Sequence, residues 1–190
     1  MLLLRAVCLL LVIAPARALF GGPSARARDR LLSAIPTRRF LPPITPESSD
    51  RRTATRIAEL AAELEATAEP PPPDDERAAV GGWLLRYTDA ADVSRLERSQ
   101  PKGFSLGSVS HPVARLASGA LVRARRTVVC EWTGPERVER TTSVAPLPAP
   151  ARTTYADAAV RIERGPRGEL FVLQKRGEGL SSSELAELGA

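Results

Sequence analysis

The chain is expected to fold as a mainly β domain with N-terminal helices, an α+β architecture in which an antiparallel meander curls on itself. Three observations predict this. From Trp83 onward, short apolar or alternating segments recur between turns rich in Gly and Pro. Ahead of them stands one segment of strong helical periodicity, Arg51 to Ala68. Near the end, Val160 and Ile162 alternate with polar neighbours, Gly165-Pro-Arg-Gly168 reverses the chain, and Leu170-Phe-Val-Leu173 forms a short apolar run. The 190 residues suffice for one domain plus a targeting extension. Hydrophobic residues make up 43% of the chain, but Trp, Tyr and Phe number only 2, 2 and 4, so Ala, Val and Leu must fill most of the core.

The N-terminus reads as a processing signal. Arg5 precedes an apolar run from Ala6 to Ala14, too short for the about 20 residues that span a bilayer. The run fits the core of a signal peptide, and Ala16-Arg17-Ala18 places small residues where a signal peptidase reads them, so residues 1–18 are expected to be removed. The competing reading is a buried N-terminal helix. Residues 19–40 are rich in arginine and poor in acids, Asp29 being the one carboxylate, which is transit-peptide chemistry. Losing Arg5 and Arg17 lowers the Lys plus Arg count from 27 to 25 against 22 acids. The high isoelectric point is therefore partly presequence and does not imply nucleic-acid binding. Of the two cysteines, Cys8 departs with the signal peptide. Cys130 remains alone, which excludes an internal disulfide and suits a reducing compartment.

Arg26 to Ile35 places Leu31, Leu32 and Ile35 on one face of a short helix that Pro36 ends, and it overlaps the transit-like segment. Residues 41–50 hold three prolines and read as a loop. The next helix, residues 51–69, starts on Asp50 as its cap and presents Ile57, Leu60, Ala61, Leu64 and Ala68 on one side. Pro70 to Pro73 stop it and extend the chain. With mixed charge and no Phe or Trp on its apolar face, this helix suits packing against a sheet better than lying on a membrane. The strands expected within residues 83–175 are Trp83–Thr88, Phe104–Ser110, Ala120–Trp132, Arg137–Val144, Thr153–Glu163 and Glu169–Lys175. Residues 177–190 read either as a mobile tail or as a short helix capped by Ser181 and Glu184.

Two blocks of residues say more than periodicity. Tyr155-x-Asp157, followed by Arg161-Ile-x-Arg164-Gly165 and Arg167-Gly-x-Leu170-Phe-Val-Leu173, resembles the C-terminal signature of the plastid lipid-associated proteins, or fibrillins. Gly82-Trp83-Leu-Leu-Arg-Tyr87-Thr88 resembles the family's opening strand, and Gly107-Ser-Val109-Ser-His111 echoes its central pattern loosely. The resemblance covers residues 26–176. It implies a lipocalin-like antiparallel β-barrel. Where the family carries a further strand, this chain has Pro146, Pro148 and Pro150, which a central strand does not accommodate, so the barrel is expected to be shortened or open there. A signal peptide followed by a basic segment that begins near Phe20 resembles the bipartite presequence of algae with secondary plastids. The two resemblances imply a plastid protein of stroma, thylakoid or plastoglobule.

The resemblance further implies a non-catalytic protein that binds or sequesters isoprenoid lipids, prenylquinones or carotenoids, at thylakoid or plastoglobule surfaces. The alternative is a scaffold that assists a prenyl-lipid biosynthetic enzyme. Trp83, Tyr87, Tyr155 and Asp157 are the candidate ligand-binding residues. Against that role, Trp83 suits packing at a barrel's closed end, and Asp157 suits capping a turn through its carboxylate. Arg161, Arg164 and Arg167 flank the terminal turn, either as a solvated edge or as contacts for anionic lipid headgroups. His111, the one histidine, stands beside Pro112 with no visible partner and reads as a turn residue; Cys130 reads as a buried thiol. Arg123, Arg125 and Arg126 raise the idea of an oligonucleotide-binding barrel, but that strand offers only Trp132 for base stacking. No phosphate loop, catalytic carboxylate pair or metal-ligand cluster is visible, and neither a cofactor nor enzymatic activity is expected.

Two reporter fusions test the presequence. Residues 1–18 should deliver a fluorescent protein only to the secretory system, and residues 1–40 should deliver it to the plastid. Phe20→Ala should weaken the second step. Microscopy placing the longer fusion in the cytosol or the medium would overturn this reading.

Overall fold

Asp50 starts the principal helix, as its position suggests: Oδ1 accepts from the Thr53 amide at 2.9 Å and Oδ2 from the Thr53 hydroxyl at 2.7 Å. The computed structural model describes residues 23–36, 43–67, 80–133, 136–147, 151–176 and 179–189. Residues 1–18, read as a signal peptide, residues 19–22 and 37–40 of the transit-like segment, Ala68, Pro70 to Pro73, Pro148 and Pro150 lie outside them. The elements in chain order are α1 (Pro23–Ala34), α2 (Arg51–Thr67), β1 (Trp83–Thr88), α3 (Ala91–Arg98), β2 (Phe104–Ser110), β3 (Val113–Arg115), β4 (Leu121–Thr133), β5 (Glu136–Pro146), β6 (Arg152–Ala156), β7 (Val160–Arg164), β8 (Leu170–Lys175) and α4 (Ser182–Glu187).

The strands build one eight-stranded sheet in which every ladder is antiparallel. Its central path runs β4-β2-β1-β8-β7-β6, β5 pairs with the free side of β4, and β3 continues β2 along β4 beyond a break at His111-Pro112. The terminal hairpin forms as read, with Ile162 opposite Val172, and Gly168 takes φ 88° at the turn, a conformation open chiefly to glycine. The expected single strand Thr153–Glu163 is two strands, because the chain reverses at Asp157. Helix α3 and strand β3 had no periodic signal: eight residues and three residues are too short to show one.

The sheet is curled into a half-barrel. His111, at the end of β2, approaches Glu163 of β7 to 3.4 Å. Those strands are separated by β1 and β8, so roughly 14 Å would divide them in a flat sheet. Only a concave face brings such side chains together. The curl does not close: among the described strands β5 pairs only with β4 and β6 only with β7. Pro146 sits at the end of edge strand β5, where a missing amide breaks no inner ladder.

Two cores fill opposite sides of this sheet. The convex side carries the α1–α2 hairpin: Ala27, Leu31 and Ile35 of the first helical region and Ile57, Leu60, Ala61 and Leu64 of α2 pack on Tyr87, Tyr155, Val160, Ile162, Leu170 and Val172. The concave side holds Trp83, Leu85, Leu106, Val109, Phe171 and Leu173, with Ala90 and Val93 of the α3 region laid against them. A bulge in β1 links the two. Leu85 opposes Leu173, yet Tyr87 opposes Val172, so the one-residue slip moves Tyr87 to the helix side.

The C-terminal segment resolves its two sequence readings toward the helix. Ser181 and Glu184 form a reciprocal capping box, and Arg126 on the convex face of β4 grips the Glu184 carboxylate at 2.7 and 2.6 Å. Those bonds hold the Glu184 carboxyl down to about 2. Gly107 explains a second irregularity: a Cβ there would stand 2.8 Å from the Cys130 sulfur, so the bulge in β2 lets β4 approach only because this residue has no side chain.

Helix α1 lies within the residues read as transit peptide, yet Leu31 is completely buried and Arg28 reaches Asp157 at 3.1 Å. Were a transit peptide removed, a cleavage compatible with this core would fall before Pro23. Leu31→Ala should therefore lower the stability of the 19–190 chain by about 2–5 kcal/mol, the usual loss for a buried leucine. Urea denaturation checks this; an unchanged midpoint would mean that α1 is dispensable.

Candidate functional site: the concave face and its buried charges

Strand alternation decides what faces the concavity. Val113, a concave-side core residue, opposes Arg123, and Val109 opposes Thr127, so Arg123, Arg125, Thr127, Val129 and Glu131 of β4 all point inward. Arg126 points outward to α4. On β7, Arg161 opposes Leu173 and Glu163 opposes Phe171, which places both charges inward while Ile162 joins the helix-side core. The concave face thus combines an apolar floor with a charged cluster.

The cluster is deeply buried. The side chains of Arg161 and Glu163 are each 1% exposed, with Arg161 Nε 3.1 Å from Glu163 Oε1. Arg161 Cζ stands 4.8 Å from the Trp83 ring centroid and Lys175 Nζ 5.4 Å from it, two cation–π contacts on one indole. His111 Nδ1 faces Glu163 Oε2 at 3.4 Å, and its ring tilts against Phe171 with centroids 5.9 Å apart. The His111 Nε2 atom is buried with no hydrogen-bond partner among the described residues. At the mouth, Arg125 pairs with Asp92 of α3 at 2.8 Å, and half-buried Arg123 has no ion-pair partner among the described residues.

These surroundings set the protonation states. Burial pushes His111 below its ordinary value; hydrogen bonding to Glu163 opposes the shift, and Arg125 and Arg161 add to it. Burial alone would raise Glu163, but the His111 bond and the charges of Arg161 and Arg123 hold it below the usual carboxylate range. Burial also lowers Arg161.

The sequence-derived candidates do not meet in one place. Trp83 lies on the concave side, whereas Tyr87 and Tyr155 lie in the helix-side core. Asp157 ties the β6–β7 turn to α1. Its Oδ1 accepts from the Ala159 and Val160 amides at 2.7 Å each, and Oδ2 accepts from the Tyr155 hydroxyl at 2.8 Å and from Arg28 at 3.1 Å. Four donors fill the carboxylate, as the turn-capping reading expects. Burial would raise the Asp157 carboxyl, but those bonds bring it below its ordinary value; burial and the bond to Asp157 raise the Tyr155 hydroxyl.

The three arginines of the terminal hairpin separate as well. Arg161 is interior, a correction to its surface reading, because the curl of the sheet covers the concave side of β7 and the helices cover the other. Arg164 forks onto Glu65 of α2 at 3.0 and 2.7 Å. Arg167 stays exposed beside Glu169 at 2.7 Å. His111, read as a turn residue, is buried instead. Its signal lay in no local motif, since its partner Glu163 is 52 residues away. Arg123 and Arg125 were visible as an i, i+2 pair on one strand face, but which face was concave was not.

Comparison with protein-family models, curated proteins and solved structures finds no match to this chain.

The lone histidine gives the cluster a pH signature. The folded state holds His111 neutral with a lowered pKa, so the unfolded chain takes up the proton first as pH falls below about 6.5. Stability contributed by neutral His111 is present above that pH and lost below it. Between pH 7.5 and 5.5 the urea midpoint should fall for the native chain and stay nearly level for His111→Gln. Equal slopes in the two proteins would remove His111 from this account.

Proposed function

We propose that this chain is a non-catalytic lipid-associated protein of the plastid lipid-associated type. It holds a long isoprenoid lipid, a prenylquinone or carotenoid, against the concave face of its half-barrel at a thylakoid or plastoglobule surface. One observation supports this above the others. A buried apolar stripe of Leu85, Leu106, Val109, Val129 and Phe171, each 9% exposed or less, underlies the concave face and leads to two exposed hydrophobics, Phe104 (38%) and Val138 (39%). Phe104 and Val138 share one cross-strand row through Glu131, so they extend the same face to the open margin. A sheet face of this kind removes a lipid tail from water without covalent chemistry. Plastid delivery by the bipartite presequence belongs to the same proposal.

The scaffold reading has its own observation. The inward face of α2 is consumed by α1 and the sheet, so a partner enzyme would meet the outward face. That face carries Arg51, Arg52, Arg56 and Glu59 around a shallow depression of about 570 Å3. The depression is remote from the concave face and lined mainly by charge, which suits an acidic protein surface better than a lipid.

Fluorescence titration tests the lipid reading. Trp83 forms the floor of the concave face, so a bound prenylquinone should quench tryptophan emission saturably. Apolar burial drives this binding, and rising ionic strength should hardly weaken it. Arg167 and other exposed cations would instead give vesicle binding that salt abolishes. Vesicle binding without saturable quenching would overturn the concave-face site.

A further inference from the structure

We infer that the concave face selects an amphiphile with an anionic head, a long-chain carboxylate or phosphate monoester, and seats that head at Arg123 and Arg125. The inference rests on the concave-face lipid site proposed above and goes beyond it, because a prenylquinone or carotenoid carries no anionic head.

Charge and access carry the argument. Arg161 and Glu163 lie at the bottom of the cluster and face each other. Arg123 and Arg125 lie nearer solvent, on the same inward face of β4, the Arg125 side chain being 14% exposed. Their described acid is Asp92, which pairs with Arg125 alone, and the buried Arg125 Nε has no hydrogen-bond partner among the described residues. Donors held inward in a region of reduced dielectric favour an anion strongly, and guanidinium forks match the planar oxygens of carboxylate or phosphate. A hydrocarbon placed over them would leave those donors without water or partner.

The rest of the face supplies the tail. From Arg125 to Glu131, β4 runs roughly 20 Å along the concavity. Leu106 and Val129 lie between, and Phe104 and Val138 are exposed at the far end. The Arg140–Glu131 pair at 2.8 Å neutralises the charges at that margin. One end of this face is therefore basic and the other apolar, the polarity of an amphiphile.

Calorimetric titration of the full 19–190 chain with hexadecyl phosphate, palmitate, hexadecanol and inorganic phosphate tests this. At least one anionic amphiphile should bind about tenfold tighter than hexadecanol, and the tighter of the two identifies phosphate or carboxylate as the head. Arg123→Gln should bring both to the hexadecanol level, whereas Arg126→Gln, which removes a cation from the opposite face of β4, should change neither. Equal binding of hexadecanol and the anionic amphiphiles by the native chain overturns the inference and leaves the lipid reading standing. Equal weakening by Arg123→Gln and Arg126→Gln overturns it too, since bulk charge would then suffice. Binding of no long-chain probe, with or without inorganic phosphate, overturns the inference as well, and the prenylquinone titration then decides the lipid reading separately.

Discussion

A sheet covered on both faces leaves strand β7 nowhere to send its charges. Val160-Arg-Ile-Glu-Arg164 has the alternation of a strand with one wet side, but helices occupy its convex side and the curl of the sheet occupies the other. Arg161 and Glu163 are therefore carried into the interior, where an isolated charge is very costly. The surrounding structure answers that cost: Trp83 lies against the guanidinium, His111 meets the carboxylate, and the two opposite charges face each other. Such a pair contributes less to stability than apolar residues of equal volume would. It does specify geometry, because removing the curl would strand both charges. The half-barrel shape and the buried pair thus require one another.

The convex side follows a simpler logic. A short sheet with an open margin cannot bury enough apolar surface by itself, and the α1–α2 hairpin adds a second layer of Leu, Ile and Ala. Polar ties then fix the layer in place. Asp157 joins α1 to the β6–β7 turn, and Glu65 joins α2 to Arg164 at the end of β7. These ties occupy the very residues that a ligand on this side would need. The chemical possibilities of the fold are consequently concentrated on the concave face, where donors outnumber their described partners and apolar residues reach solvent.

On the proposed reading, that face holds a molecule rather than transforms one. Its buried acid, Glu163, is committed to Arg161 and His111, and the histidine is kept neutral by burial. In the proposed binding mode, an apolar stripe with a basic end would distinguish an anionic lipid from a neutral one by charge.

Local pattern by itself determined most of the secondary structure. The period of Ile57, Leu60, Ala61 and Leu64 and the cap at Asp50 specify α2, Gly168 specifies the terminal turn, and the prolines after Val144 place β5 at an edge. Those signals are legible because each is confined to one or two turns of chain. The Asp157 turn was half legible, since its amide bonds are local but its bond to Arg28 spans 129 residues. The site was not legible. Whether Arg161, Arg123 or His111 faces water depends on which side of the sheet is concave, and one bulged residue is enough to send Tyr87 to a different core from Leu85. Curvature and strand order are properties of the assembled sheet. Only the tertiary structure could decide them, because alternation tells which residues share a face and never what lies opposite that face.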